Sequence, residues 1–263
     1  MGVLKSFCIA FLTYSKIPMP RVYRNKKNMR FAVCFMPFIG VVIGLLLMLW
    51  FTACLKLKLN NACFAAVAAV IPIIITGGMH AGGFVKTNDA ISARGSKQTR
   101  LEILGDPHAG VSGIVGMILY YLLYFGFLNE ITIYGETAMI ALGFVMSRSL
   151  CAIEMVLMRT AKNTGVQYEI SSAMNKPVTL FITLIILSVC ALVMIFLSPY
   201  IGGMVLFLLI LLVVYYKFFV AKRVGGITSD TCGWFIQMCE LLTLIAIVIG
   251  GKLAALNVVT LLI

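Results

Sequence analysis

Apolar runs dominate this chain, and its polar residues gather in the gaps between them. The long hydrophobic stretches fall near residues 31–55, 62–79, 111–128, 136–157, 178–198, 201–216 and 235–250. Each approaches the roughly 20 residues that carry an α-helix across about 30 Å of hydrocarbon. The pattern predicts an all-α, polytopic integral membrane protein with about seven transmembrane helices in a single domain, 1–263. The 201–216 run starts so soon after Pro199, with Gly202-Gly203 inside it, that a tight helical hairpin with the preceding span is expected. The last stretch, Leu253 to Ile263, is too short to cross. The apolar start, Val3 to Thr13, leads into Pro18-Met19-Pro20 and a basic run without a small-residue cleavage site. It reads as an N-terminal interfacial or re-entrant helix rather than a cleaved signal.

Composition supports the membrane assignment. At 62% hydrophobic and 11% charged residues, with a mean hydropathy of +1.06, the chain lacks the polar residues to coat a soluble globule of this length. Its eight cysteines (8, 34, 54, 63, 151, 190, 232 and 239) show no metal-ligand spacing and read as small core hydrophobes. Charge sets the orientation. With the N-terminus cytoplasmic, 17 of the 21 Lys and Arg residues fall on the inner side, only Lys56, Lys58 and Lys252 lie outside, and Arg148 is within a span. The net charge of +12 is thus mainly a topological signal and an attraction to anionic lipid, which argues against nucleic-acid binding.

The nine carboxylates can be placed one by one. Glu130 and Glu136 belong to an external loop, and Glu169 to a polar, mobile loop at 158–177. Glu154 and Glu240 fall inside spans, where a charge needs a partner or a wet cavity. Arg148 and Glu154 are six residues apart, a poor spacing for a pair on one helix, so each needs a partner from another helix or a substrate. Asp89, Glu102, Asp106 and Asp230 remain, all at the cytoplasmic mouth.

The stretch from Thr76 to Gly110 concentrates this chemistry, holding both histidines, His80 and His108, with three of the carboxylates. The simpler reading of these carboxylates is that they neutralise nearby Lys and Arg. Glycine pairs at Gly77-Gly78, Gly82-Gly83 and Gly225-Gly226 flank the acidic positions and permit close backbone approach to a phosphate. Such pairs also serve helix packing. Together with the charges beside them they point to diphosphate chemistry, which needs cations on the phosphate oxygens and donors for the leaving group.

Motifs spread along nearly the whole chain resemble those of the cobalamin synthase family, integral-membrane adenosylcobinamide-GDP ribazoletransferases. Phe11-Leu12-Thr13 through Pro18-Met19-Pro20 and Phe35-Met36-Pro37-Phe38-Ile39-Gly40 resemble its opening and first-span patterns. Gly77-Gly78-Met79-His80 leading to Asp89-Ala90, then Leu101-Glu102-Ile103-Leu104-Gly105-Asp106, carries the most specific likeness. Ser147-Arg148, the segment Gly225 to Gly233, and Glu240 follow in order. The resemblance implies joining of adenosylcobinamide-GDP to α-ribazole or its 5′-phosphate, with release of GMP, late in cobalamin biosynthesis. It implies Mg2+ held by Asp89, Asp106 and Asp230, which with His80 form the catalytic set. Arg100, Glu102, His108, Arg148 and Glu240 are its substrate-binding candidates, with Arg148 or Arg100 on phosphate oxygens and His80 orienting or deprotonating the hydroxyl. It further implies a multi-pass protein of a prokaryotic inner membrane, its site facing the cytoplasm. Self-association or contact with other cobalamin-assembly enzymes is compatible with the sequence but not demanded by it.

One departure stands out. After the glycine pair the family pattern runs His-x-Asp-Gly-x-x-Asp-x-x-Asp; here Gly82 and Lys86 occupy the first two aspartate positions and only Asp89 is kept. Positions 82, 86 and 89 share one helix face, so the family arrangement presents three carboxylates together. Losing two predicts weakened metal affinity and turnover, and Lys86 is expected to pair with Asp89. An inactive family member that binds corrinoid intermediates or scaffolds an assembly is the alternative. A CDP-alcohol phosphatidyltransferase-like enzyme is disfavoured because its aspartate pattern is missing, and a transporter because the midplane holds few polar groups.

Overall fold

Each apolar run folds as a helix, and the computed structural model describes residues 2–261. Among them no strand forms beyond one isolated bridge pair. The first helix, α1 (Gly2–Tyr14), is 13 residues long, too short to span. It packs beside the single turn α2 (Lys26–Met29), where the Ser6 hydroxyl donates to the Asn28 carbonyl at 2.7 Å. A 3-10 turn then leads into α3 (Met36–Leu57), which ends on Lys58 in the left-handed conformation. Next comes α4 (Asn61–Thr76), capped by the Asn60 side chain. Gly77 and Gly78, with φ of 64° and 73°, stop α4 and turn the chain through 92° into α5 (Met79–Ser92). These two dihedral angles are strained for any residue with a Cβ, so the bend depends on the glycine pair.

After α6 (Lys97–Gly105) the chain returns through α7 (Val111–Asn129) and comes back in α8 (Tyr134–Leu157). The segment expected to be a mobile loop folds in part as α9 (Val166–Ala173), with Glu169 in its first turn. Burial of Gln167 and Ile170, and the bond from the Asn175 amide to the Arg30 carbonyl at 2.9 Å, hold it against the N-terminal region. α10 (Lys176–Leu197) and α11 (Pro199–Tyr215) form the expected hairpin; Ser198 ends one and caps the other. Gly202 permits the close approach, since a Cβ there would lie 2.9 Å from the Ile195 backbone.

Two boundaries differ from expectation. The α11 span continues through a π turn and α12 (Lys222–Val224), so Lys217, Lys222 and Arg223 sit on its last turns rather than in a loop. Basic residues there suit the negative end of a helix. The final helix, α13 (Ser229–Leu261), starts six residues before the expected 235, and the stretch from 253 continues it instead of standing apart. Its start is set by a reciprocal cap: the Thr231 amide donates to Thr228 Oγ1 at 3.1 Å and the Thr228 amide to Thr231 Oγ1 at 2.9 Å.

Six helices among the described residues are long and apolar enough to cross a membrane, and the bent pair α4–α5 makes up to seven. The interior is built by α8 and α13, the most buried spans, against α3, α5, α7, α10 and α11. Small residues bring α3 close to α8; a Cβ on Gly44 would lie 2.9 Å from that of Ala141. All eight cysteines are free, seven of them buried, as core residues should be. The outward faces are covered with Leu, Ile, Val and Phe, the surface a lipid environment requires.

Candidate active site

Polar residues of α5, α6, the loop after α8 and the start of α13 come near one another. α5 packs against α13 and α7, with α6 beside it. Its contact with α13 is intimate because Gly83 meets the Asp230 backbone, where a Cβ would come within 2.7 Å of the carbonyl oxygen. Gly233 answers from α13, where a Cβ would lie 3.1 Å from His80 Cα. His80 and Asp230 are thereby fixed on facing helices.

A second device brings Lys162 to the same place. The Ala161 amide donates to the Ile227 carbonyl and the Ile227 amide to the Arg159 carbonyl, each at 2.9 Å, tying the loop after α8 to the Gly225-Gly226 turn. Gly226 takes a φ of 154°, and a Cβ on it would lie 2.5 Å from the Arg159 carbonyl oxygen. The loop and turn enclose a small polar cavity of about 130 Å³, walled by Thr160, Lys162, Thr228, Ser229 and Asp230. Lys162 also walls an open groove of about 780 Å³ with Glu102, Asp106 and His108. A third cavity, about 230 Å³, shares Gln167 and Ser229 with the first and reaches Tyr14, Arg24 and His80.

The individual carboxylates have distinct surroundings. Asp89 accepts the Gly110 amide on Oδ2 and the Gly113 amide on Oδ1, each at 2.7 Å. It therefore caps the start of α7 from a neighbouring helix, and the expected Lys86–Asp89 pair does not form. Two backbone donors outcompete one flexible ammonium because they arrive fixed by the helix. Asp106 accepts the His108 amide and faces its Nδ1, both at 2.8 Å. These donors hold its carboxyl below the ordinary range; the backbone bond is the larger cause. Glu102 accepts from Gln98 on the same helix at 3.1 Å. Arg100 reaches the Ala93 carbonyl at 3.2 Å, while its Nε is buried without a partner. The charges of Lys86 and Lys162 both act on Asp230, and that of Lys86 also acts on Asp106.

Arg148 and Glu240 lie inside the bundle, near enough to His80 for the Arg148 charge to act on it. They pair with each other between α8 and α13, at 1% and 4% side-chain exposure. Arg148 Nη1 also donates to the Phe144 carbonyl at 3.1 Å and Ser147 Oγ at 2.8 Å. The partner that the Arg148–Glu154 spacing could not supply comes from another helix. Nine residues separate Arg148 from the end of α8, about 14 Å of depth. The candidates thus divide among three cavities, His80 in one, Asp230 in a second and Glu102, Asp106 and His108 in the open groove, with Arg100 lining none of the three and Arg148 and Glu240 paired inside the bundle. Sequence reasoning passed over Lys162, Gln167 and Tyr14. For Lys162 a signal existed, its place three residues after Arg159 in a polar gap, but its distance in sequence from Asp230 hid the meeting.

The family model described as cobalamin-5-phosphate synthase matches residues 6–248. The chain belongs to that family. Among curated relatives, an adenosylcobinamide-GDP ribazoletransferase of Lachnoclostridium phytofermentans is 38% identical over 250 residues, 95% of each chain. Proteins of the same name from Listeria monocytogenes (28% identical over 249 residues, covering 94% of this chain and 98% of the relative) and Clostridium botulinum Okra (27% over 238, covering 88% and 92%) are similar to it. No solved structure matches the chain.

Within this cobalamin synthase scaffold the described residues form no preassembled cage for a magnesium ion. Among the described residues no group of three or more His, Cys, Asp or Glu side chains is arranged to hold a metal. Both oxygens of Asp89 are engaged by amides, and Lys86 stands where a ligand is expected.

Proposed function

We propose that this membrane transferase joins adenosylcobinamide-GDP to α-ribazole or its 5′-phosphate, giving adenosylcobalamin or its phosphate and GMP. The observation that carries the reading is the 38% identity, over 95% of the chain, to a relative named for that activity. In the proposed step a ribazole hydroxyl oxygen forms a bond to the phosphorus carried by the corrinoid side chain. The bond from that phosphorus to the bridging oxygen of the diphosphate breaks, and GMP leaves with the electron pair. Asp230 takes the hydroxyl proton, His80 orients the acceptor, and Lys86, Lys162 and Arg100 offset the diphosphate charge. The polar region bearing these groups faces the cytoplasm of a prokaryotic inner membrane, in keeping with the distribution of Lys and Arg. Magnesium, expected from the resemblance, has no step in this account because Asp89, Asp106 and Asp230 are not grouped as a metal site among the described residues.

A second reading is favoured by Gly82, Lys86 and the engaged Asp89: a family member that binds the corrinoid nucleotide without turning it over. GMP release by the purified chain in lipid, with and without magnesium, separates the two. The Gly82→Asp, Lys86→Asp double variant is assayed beside it. Turnover by the native chain supports the transferase, turnover by the double variant alone supports the non-catalytic binder, and silence from both overturns the transferase reading.

A further inference from the structure

We propose that Lys86 is the resident cation of this site, so that the chain grips a nucleoside diphosphate without a divalent metal. The inference rests on the reading of this region as a diphosphate site and concerns how the charge is balanced there. Three positions on one face of α5 carry it. At Gly82 the face is bare: nothing lies within 4 Å of where a Cβ would stand, so that side of the helix is open to a ligand. At Asp89 each carboxylate oxygen accepts one amide from the start of α7, Gly110 on Oδ2 and Gly113 on Oδ1. Between them Lys86 forms no hydrogen bond or ion pair among the described residues, yet its charge acts on Asp106 from the end of α6 and on Asp230 from the first turn of α13. Lys86 stands one turn beyond Gly83, which meets the Asp230 backbone, so its side chain starts beside that wall of the site and is committed to no partner there.

A second cation completes the arrangement. Lys162 lines both the small polar cavity that holds Asp230 and the open groove that holds Asp106, and a carbonyl, Leu101 O at 3.2 Å, takes only one of its three donors. A divalent ion entering here meets two ammonium groups and no set of three ligands. A diphosphate meets two cations with free donors. The charge that a metal supplies elsewhere is here covalently tethered, fixed in stoichiometry and insensitive to chelation.

The test uses the full chain in lipid nanodiscs, with GDP as the probe, followed by calorimetry in excess EDTA and in excess magnesium. Manganese uptake is followed separately by electron paramagnetic resonance. The native chain is expected to bind GDP equally, within about twofold, in both conditions and to take up no manganese. Lys86→Gln should weaken GDP binding about tenfold or more, the worth of one charged hydrogen bond, while Lys86→Arg retains most of it. The Gly82→Asp, Lys86→Asp variant should acquire manganese. Loss of GDP binding in EDTA, equal affinity in Lys86→Gln, or no GDP binding in either condition each overturns the proposal. The outcome is separable from the transfer reaction. Metal-free GDP binding without GMP release leaves Lys86 standing and fells the transferase, whereas GMP release only with magnesium does the reverse.

Discussion

Replacing Asp89 with alanine removes both acceptors from the start of α7, and the size of the effect follows from the geometry. Two amides, those of Gly110 and Gly113, donate to it at 2.7 Å. Loss of a capping side chain costs about 0.5–2 kcal/mol, and a hydrogen bond to a charged group contributes about 1.5–3. Asp89 is partly solvated, which discounts the charged bonds, so the two together contribute about 2 kcal/mol. At about 1.4 kcal/mol per tenfold, local opening of the first turn of α7 should rise about 30-fold. Asp89→Asn keeps one acceptor oxygen, so about half the free energy and roughly a fivefold rise are expected. Hydrogen–deuterium exchange resolved over residues 110–116 reads both. Unchanged exchange there, accompanied by loss of GMP release, would refute the capping role and return the carboxylate to the chemistry.

Other outcomes follow from the same structure. Glu240→Leu strands the buried Arg148 charge and should destabilise the bundle by about 3–5 kcal/mol, while Arg148→Met with Glu240→Leu recovers most of it; thermal unfolding in lipid decides, and a double variant no more stable than the single contradicts the pairing. For Asp106 the native carboxyl sits below its ordinary value, so its contribution is complete above the unfolded value of 3.8 and disappears as pH falls through the depressed native value. His108→Ala removes the ring but leaves the backbone donor, so the carboxyl carbon should titrate only part of the way back up; no movement at all rejects the side-chain contact.

Hydropathy made most of the fold legible, because each span must satisfy its own backbone and so writes its length into consecutive residues. The boundaries that moved did so where polar residues extend a helix. Thr228 and Thr231 cap one another and carry α13 into a stretch that reads as loop, and Lys222 and Arg223 lengthen the α11 span beyond its apolar run. In the candidate site, residue types were legible and partners were not. Spacing showed that Arg148 could not use Glu154, but only the packing of α8 on α13 identifies Glu240. Likewise the shared face of 82, 86 and 89 was read from periodicity, whereas the seating of Gly113 beside Asp89 depends on how α7 approaches α5. A Cβ at Gly113 would lie 2.6 Å from the carboxylate, a constraint with no local sequence signature.

The right angle at Gly77-Gly78 has a consequence for how such a site can drift. On an upright helix, positions 82 and 89 would differ by about 10 Å in depth, and each would meet a different dielectric. After the 92° turn α5 leaves the direction of α4, and the three positions fall together on one of its faces. At Gly82 that face is bare, so a side chain there can change its charge without displacing a neighbour. That face of α5 can exchange a charge while the tight contact of Gly83 with the Asp230 backbone keeps the helices in their places.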